Sequence, residues 1–151
     1  MEVQARDKAL TGAAGAHYVA FRLSTLGYAV GLTTYGTRSI DMVIANPNTG
    51  KSITIQTKTM RGAFVRSRKW GPYWKWRVGT TFRGLALETL FYTFVDLGDD
   101  PSKKTPDVFI VPSIRLKPLI EKYPGDNWCV IEEKDQGEYL DRWDVIRDAL
   151  A

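Results

Sequence analysis

The chain has 151 residues, of which 44% are hydrophobic and 25% are charged, a composition typical of a globular protein with its own core. This length favours a single domain over residues 1–151. No apolar run approaches the roughly 18 residues that a membrane-spanning helix needs, and the first residues lack a basic-then-apolar signal pattern. We therefore expect a cytoplasmic protein that does not bind membranes.

The chain contains one cysteine and one histidine, which excludes an internal disulfide and a zinc finger. Cys129 lies in the apolar run 128–131. We therefore expect its thiol to be buried rather than reactive.

The net charge of +4 is unevenly distributed along the chain. No acidic residue lies between Asp41 and Glu88, whereas nine basic residues do. From Glu88 to Ala151 the balance reverses, with eight basic and fourteen acidic residues. One side of the molecule should therefore carry a positive field that attracts polyanions such as nucleic acid.

The first part of the chain is predicted to form a helix followed by a strand. Residues 1–10 are polar and mixed in charge, and we expect them to be loosely ordered. Thr11 has the chemistry of an N-cap for a helix over residues 12–26, which Gly27 ends. Residues 28–34 have a strand composition and residues 35–38 form a turn. The small residues at 12–16 indicate either close packing on a sheet or room for a phosphate at the helix N-terminus.

Residues 39–58 are predicted to form a β-hairpin. Its first run, 39–46, is centred on apolar residues except for Asp41, and residues 47–50 are turn formers. In the second run, 51–58, Ile53 and Ile55 alternate with polar residues, as in a half-buried strand. Because strand side chains alternate with a period of two, Gln56 and Lys58 share a face and can both point toward Asp41.

Basic and aromatic residues are interleaved after this hairpin. Trp74, Trp76 and Val78 occupy alternate positions, which is typical of the buried face of a strand. The same mixture suits nucleic-acid binding, since cations neutralise phosphates and rings stack on bases. Both interpretations hold together if the basic residues of 66–77 point outward. The candidate nucleic-acid-binding residues are Arg61, Arg66, Arg68, Lys69, Lys75 and Arg77.

The remaining elements follow from apolar runs and chain breakers. Strands are predicted at residues 87–97, 107–112 and 128–131, with a loop at 98–106 and a turn at 123–126. A short helix follows Ser113, with Pro118 in its first turn or at its end. An amphipathic helix is predicted at 139–150. This order indicates an α+β layout in which the sheet packs on the first helix.

Asp41, Gln56 and Lys58 are a candidate group for metal-dependent phosphodiester hydrolysis. That reaction needs oxygen ligands for Mg²⁺, and a cation or base that orients a water molecule. Asp41 would hold the metal, while the amide oxygen of Gln56 and the backbone carbonyl of Thr57 would complete the protein's ligands. Lys58 would position or activate the attacking water.

The order and spacing of these elements resemble the PD-(D/E)XK nuclease superfamily, and within it the Holliday-junction-resolvase-like branch. The resemblance covers residues 12–59 through the small-residue start of the helix, the aspartate strand around Asp41, and residues 53–58. It implies a restriction-endonuclease-like α+β (α/β) fold, with a central mixed β-sheet flanked by helices. It further implies Mg²⁺ or Mn²⁺ as the cofactor, DNA, including branched or distorted DNA, as the partner, and a homodimer.

Two positions depart from the pattern of that superfamily. Gln56 stands where the family usually has Glu or Asp, which removes a negative charge from the metal site. His17 stands where resolvase-like members carry a glutamate on the first helix, and imidazole is a poor mimic of a carboxylate toward Mg²⁺. His17 is therefore either a further catalytic residue or a structural one.

Three interpretations of function remain open from the sequence. The chain is an active metal-dependent endonuclease, or a nuclease-like module that binds DNA without cutting it. In the third interpretation it is an unrelated α+β domain in which Asp41 and Lys58 form only an ion pair.

Overall fold

The computed structural model of the protein describes residues 2–34, 40–79, 86–100, 105–121 and 127–151. Within these ranges no helix is long and apolar enough to cross a membrane. The predicted turns at 35–38 and 123–126, and part of the predicted loop at 98–106, lie outside the described residues. The helices and strands of the described ranges are α1 (Glu2–Thr25), β1 (Ala29–Leu32), β2 (Met42–Ala45), β3 (Ser52–Met60), β4 (Phe64–Ser67), β5 (Gly71–Arg77), β6 (Leu90–Asp96), β7 (Asp107–Pro112), α2 (Leu116–Glu121), β8 (Trp128–Glu132) and α3 (Trp143–Leu150).

Five of the strands form a mixed central sheet in the order β1-β2-β3-β6-β7. Strands β3 and β6 run parallel, and the other neighbours in this sheet run antiparallel. The remaining strands form a small antiparallel sheet in the order β4-β5-β8. The predicted α+β architecture, with a central mixed sheet flanked by helices, is confirmed.

The two faces of the central sheet are covered differently. On the first face, α1 and α3 pack on alternate residues of all five strands, for example Met42, Ile55 and Ile110. On the second face, the small sheet and α2 cover β6 and β7, where Phe94 and Phe109 are fully buried. Because β6 is covered on both faces, all seven of its residues are buried.

Among the described residues, no helix or strand covers the second face over β2 and β3. Val43 on this face is 43% exposed, and Thr54 beside it is half-buried. The central sheet therefore has an open half, formed by the second face of β2 and β3, beside a wall formed by the small sheet.

Helix α1 begins at Glu2, so the prediction of a loosely ordered segment at 1–10 is wrong over the described residues, and Thr11 is not an N-cap. Thr11 is an interior helix position, because it lies on the buried face that also includes Gly15, Val19 and Leu23 at a spacing of four. A Cβ at Gly15 would collide with the side chain of Thr59. Close packing therefore explains Gly15, and the phosphate interpretation fails because residues 12–16 lie inside the helix.

The C-terminal helix is shorter than predicted. It begins at Trp143, because Leu140 instead forms a β-bridge with Phe109 and Asp141 adopts a positive φ of 53°. A 3₁₀ helix, Glu133–Glu138, precedes this bridge. After β7, a 3₁₀ turn at Ser113–Arg115 leads into α2, and Pro118 lies in the first turn of α2, as one of the two predicted alternatives requires.

The short connection between β3 and β4 is held by a buried carboxylate. Asp96 is 3% exposed at the end of β6, and its Oδ1 accepts hydrogen bonds from the N–H groups of Ala63 (3.0 Å) and Gly98 (2.9 Å). The indole N–H of the fully buried Trp76 donates to the carbonyl of Val95 at 2.9 Å. These bonds fix the small sheet against the central one.

Cys129 is fully buried in the second-face core, as predicted, and burial raises the pKa of its thiol well above the usual range. We expect the native protein to resist iodoacetamide at pH 8, because the reactive thiolate does not form and the reagent has no access. Mass spectrometry should detect no alkylation within an hour in buffer, and one adduct in denaturing urea. Rapid alkylation of the native protein would contradict this placement.

Candidate functional site

Asp41 is rigidly held at the entrance to β2. Its N–H donates to the carbonyl of Ile55 at 2.9 Å, and its own carbonyl accepts from the N–H of Thr33 at 3.0 Å. Since Met42 points into the first-face core, strand alternation directs the side chain of Asp41 to the second face. The half-buried carboxylate therefore lies at the edge of the open half of the sheet.

The carboxylate of Asp41 is oriented by the backbone of β3. Its Oδ2 accepts a hydrogen bond from the N–H of Thr57 at 2.6 Å. The N–H and the carbonyl of one strand residue point to the same neighbouring strand, so the carbonyl of Thr57 lies on this edge too. The side chain of Thr57 points to the first face, where its hydroxyl is hydrogen-bonded to the buried hydroxyl of Thr93 at 2.8 Å. The Asp41 carboxylate and the Thr57 carbonyl, both possible oxygen ligands, therefore lie close together on rigid backbone.

Gln56 and Lys58 extend from the second face of β3, beside Asp41. Both are half-buried, and both lie opposite Thr57 in the strand alternation. Their partners in the parallel ladder are Tyr92 and Phe94, which belong to the second-face core. The two side chains thus mark the border between the open half of the sheet and its wall.

Asp41 and Lys58 do not form an ion pair with each other, although both are described. The interpretation of these residues as a simple ion pair is therefore wrong. Tyr92 of β6 lies beside Gln56 on this face, and burial raises the pKa of its phenol. A phenol that stays protonated is a poor general base. Lys58 is therefore the group beside Asp41 that can orient a water molecule.

His17 is not brought to this group. It is exposed on α1, on the side opposite Gly15 and Val19, which face the sheet. Because α1 packs on the first face and Asp41 lies on the second, the helix and the sheet separate the imidazole from the carboxylate. The prediction of a catalytic role for His17 is corrected accordingly.

The donor set around Asp41 fits one hard divalent cation. The Asp41 carboxylate, the Gln56 amide oxygen and the Thr57 carbonyl are oxygen donors, which Mg²⁺ prefers. Among the described residues no group of three His, Cys, Asp or Glu side chains is placed to bind a metal. Mg²⁺ is commonly held by one or two carboxylates together with water and substrate phosphates. The site therefore suits a cation whose binding is completed by a phosphate.

The predicted nucleic-acid-binding residues fall into separate groups. Lys75 and Arg77 lie on the outer face of the small sheet, with their cations 4.6 and 5.7 Å from the ring centre of Trp128. Arg66 instead shares the inner face with Phe64 and Trp74. The side chain of Arg66 is nonetheless exposed, on the opposite face of the small sheet from Lys75 and Arg77. Arg68 and Lys69 are exposed in the turn between β4 and β5.

Arg61 follows the last residue of β3 and lines the same cleft as Arg77. It is exposed and pairs with Asp7 of α1 at 3.5 Å. Asp7 and Arg61 line a cleft of about 450 Å³ together with Lys8, Arg77 and Trp128. Sequence patterns do not indicate Asp7 or Trp128 at this cleft, because residues 1–10 have the composition of a loose segment and Trp128 that of a buried strand.

Comparisons with known proteins identify the fold. No family model matches the sequence, and no curated protein is a significant match to it. Among solved structures, the bacterial homing endonuclease I-Ssp6803I is similar to this chain, with a TM-score of 0.58 and 17% sequence identity. The alignment covers 93% of this chain and 92% of that one. The chain thus shares the fold of that endonuclease over nearly its whole length.

Proposed function

We propose that this chain is a metal-dependent DNA endonuclease of the PD-(D/E)XK type. The observation that carries the proposal is the placement of Asp41, Gln56 and Lys58 on the open half of the sheet, with the Asp41 carboxylate bound to the amide of Thr57. The fold shared with a homing endonuclease supports it. The exposed basic residues of the small sheet and its turn offer contacts for DNA phosphates.

Each residue of the site has a distinct role in this proposal. Asp41 and the carbonyl of Thr57 hold the cation, and Gln56 adds a neutral oxygen ligand. A bound Mg²⁺ or Mn²⁺ supplies charge stabilisation for the phosphodiester under attack. The ammonium of Lys58 orients the attacking water and donates hydrogen bonds to the phosphate oxygens as negative charge develops there. The neighbouring wall limits the access of bulk water to one side of the group.

A second candidate function is a nuclease-like module that binds DNA without cutting it. The observation that favours it is the low negative charge of the site, because Asp41 is its one carboxylate among the described residues and a single carboxylate holds a divalent cation weakly. This candidate predicts salt-sensitive DNA binding that requires no metal.

A cleavage assay separates the two functions. Duplex, single-stranded and four-way-junction DNA are incubated with Mg²⁺ or Mn²⁺ and with wild type, Asp41→Asn or Lys58→Ala. Asn at position 41 can still accept the hydrogen bond from Thr57, so Asp41→Asn removes the charge while keeping the local geometry. The endonuclease proposal expects cleavage by wild type alone, and a junction preference would support the resolvase-like branch. Cutting that survives both substitutions would indicate a contaminant and reject the assignment.

Gln56→Glu should strengthen metal binding. Adding one negative charge about 4 Å from a divalent cation is worth about 2 kcal/mol even in water, or about thirtyfold in affinity. Titration calorimetry with Mn²⁺ measures this directly, and Gln136→Glu, in the 3₁₀ helix before α3, is the matched control. An unchanged affinity in Gln56→Glu would contradict a cation site beside Gln56.

A further inference from the structure

The β4–β5 hairpin ends in a defined turn rather than a loose loop. Ser67 pairs with Gly71, which leaves three residues, 68–70, between the strands. The N–H of Trp70 donates to the hydroxyl of Ser67 at 3.1 Å, and Gly71 has a positive φ of 75°. A three-residue loop followed by a left-handed glycine is a common rigid hairpin connection. The tip is therefore preorganised.

Two arginines and a lysine are displayed on this hairpin. Arg66, Arg68 and Lys69 are all exposed. The guanidinium of Arg66 lies 5.6 Å from the ring centre of Phe64, and the ammonium of Lys69 lies 4.7 Å from that of Trp70. These cation–π contacts restrict the long side chains before any ligand binds. An arginine held in this way loses less conformational freedom when it binds.

The aromatic rings on the face of Arg66 are not available for stacking on bases. Phe64 and Trp74 lie 4.7 Å apart, ring to ring, and both pack against the second-face core. A protein that binds single strands needs a row of exposed rings. This face of the hairpin instead presents the guanidinium group of Arg66, which suits contacts with a duplex.

The surroundings of the hairpin leave one side for an approaching duplex. Glu132 ends the edge strand β8, and together with Glu133 and Lys134 it lies across a cleft from Trp70. Lys134 pairs with Glu132 at 3.2 Å, so this side carries a net negative charge that disfavours a polyanion. Strand β4 is the opposite edge of the small sheet, and it carries Arg66. A duplex would therefore approach from the β4 side.

We propose that the β4–β5 hairpin enters the major groove of duplex DNA, where Arg66 and Arg68 determine sequence specificity by contacting base edges. The inference rests on the proposed function and adds to it the groove and the residues that read it. Two strands about 4.8 Å apart form a ribbon that the major groove, about 12 Å wide, admits. Arginine binds guanine O6 and N7 with two hydrogen bonds, whereas Lys69 supplies a phosphate contact.

The test is a selection from a random duplex library in EDTA, so that no DNA is cut. The proteins are wild type, Arg66→Lys, Arg68→Lys and the control Arg147→Lys. Arg147 is a 67% exposed arginine on α3, which packs on the first face of the sheet. Lysine keeps the charge and removes the two-pronged hydrogen bonding. Selected duplexes are then methylated at guanine N7, which lies in the major groove, and binding is measured again.

We expect wild type to select a motif that contains guanine, and N7 methylation within it to weaken binding at least tenfold. Each hairpin variant should lose about tenfold discrimination at one or two positions, while its affinity for random duplex changes less than threefold. Arg147→Lys should select the wild-type motif. Hairpin variants that select that motif with unchanged discrimination would overturn the inference, as would tolerance of N7 methylation or a wild type that selects no motif.

The failure of this inference can be distinguished from the failure of the proposed function. If wild type binds and cuts duplex DNA but the hairpin variants behave like Arg147→Lys, the inference alone is rejected. If wild type neither binds nor cuts DNA at low salt, the proposed function is rejected together with it.

Discussion

Replacing Lys58 with methionine is expected to lower the rate of metal-dependent DNA cleavage by at least about a hundredfold, while the fold stays intact. Lys58 is half-buried at the border between the open half of the sheet and its wall, and its ladder partner Phe94 is fully buried. Methionine keeps the length and apolar stem of the side chain, so the substitution removes little except the ammonium. Initial cleavage rates in Mg²⁺ and the thermal unfolding midpoint measure the two effects separately.

The matched control for this variant is Lys117→Met. Lys117 lies on α2, where its side chain is 69% exposed and pairs with Glu121. The control removes the same charge and should keep the cleavage rate within about twofold, because exposed ion pairs contribute little. DNA binding by Lys58→Met should weaken only as expected for one lost phosphate contact, with a salt slope reduced by about one. A Lys58→Met protein that cuts at more than a third of the wild-type rate would refute the role of Lys58.

Asp96→Ala is expected to reduce the free energy of unfolding by about 3 kcal/mol. The substitution removes the buried acceptor of two N–H groups, those of Ala63 and Gly98. Hydrogen bonds to a charged acceptor are worth about 1.5–3 kcal/mol each, and an unsatisfied buried donor carries a further cost. Urea denaturation followed by tryptophan fluorescence gives the free energy directly.

Asp96→Asn separates the hydrogen bonds from the charge at this position. Both bonds are made to the same oxygen, Oδ1, so an asparagine can accept them and should lose only about half as much stability. Because Ala63 connects β3 to the β4–β5 hairpin, Asp96→Ala should also weaken DNA binding. If the free energy of unfolding of Asp96→Ala lies within about 1 kcal/mol of the wild-type value, the connection is held by other contacts.

The candidate site could be predicted from local sequence, because its geometry depends on alternation within two neighbouring strands. Asp41 lies beside a buried residue of β2, and Gln56 and Lys58 alternate with Ile53 and Ile55. Turn formers between the strands fix their order. The hydrogen bond from Thr57 to Asp41 was beyond such reasoning, because it depends on where β2 begins.

The pairing of β5 with β8 in the small sheet could not be predicted, because the two strands are distant in sequence. Trp74 pairs with Ile131, and this contact leaves no periodic signal that links the two runs. Strand β4 has no clear apolar pattern, because two of its four residues are Arg66 and Ser67. These residues form a strand only because they pair with β5 across the turn at 68–70. The face on which Arg66 lies follows from that pairing.

The start of α1 and the position of His17 were missed because tertiary packing overrides local signals. The pair Thr11-Gly12 has the composition of a helix start, yet the segment before it lacks a breaker and the helix continues through it. Thr11 belongs to the buried face that ends at Leu23. The same face determines that His17 points away from the sheet.

The central claim, a cation site between Asp41 and Gln56, is tested most directly by a crystal soaked in Mn²⁺ with bound DNA. We expect an anomalous peak that contacts the Asp41 carboxylate, the Gln56 amide oxygen and the Thr57 carbonyl, and no such peak in Asp41→Asn crystals grown in the same way. Soaked wild-type crystals without a peak at Asp41, or with an equal peak in Asp41→Asn, would contradict the assignment.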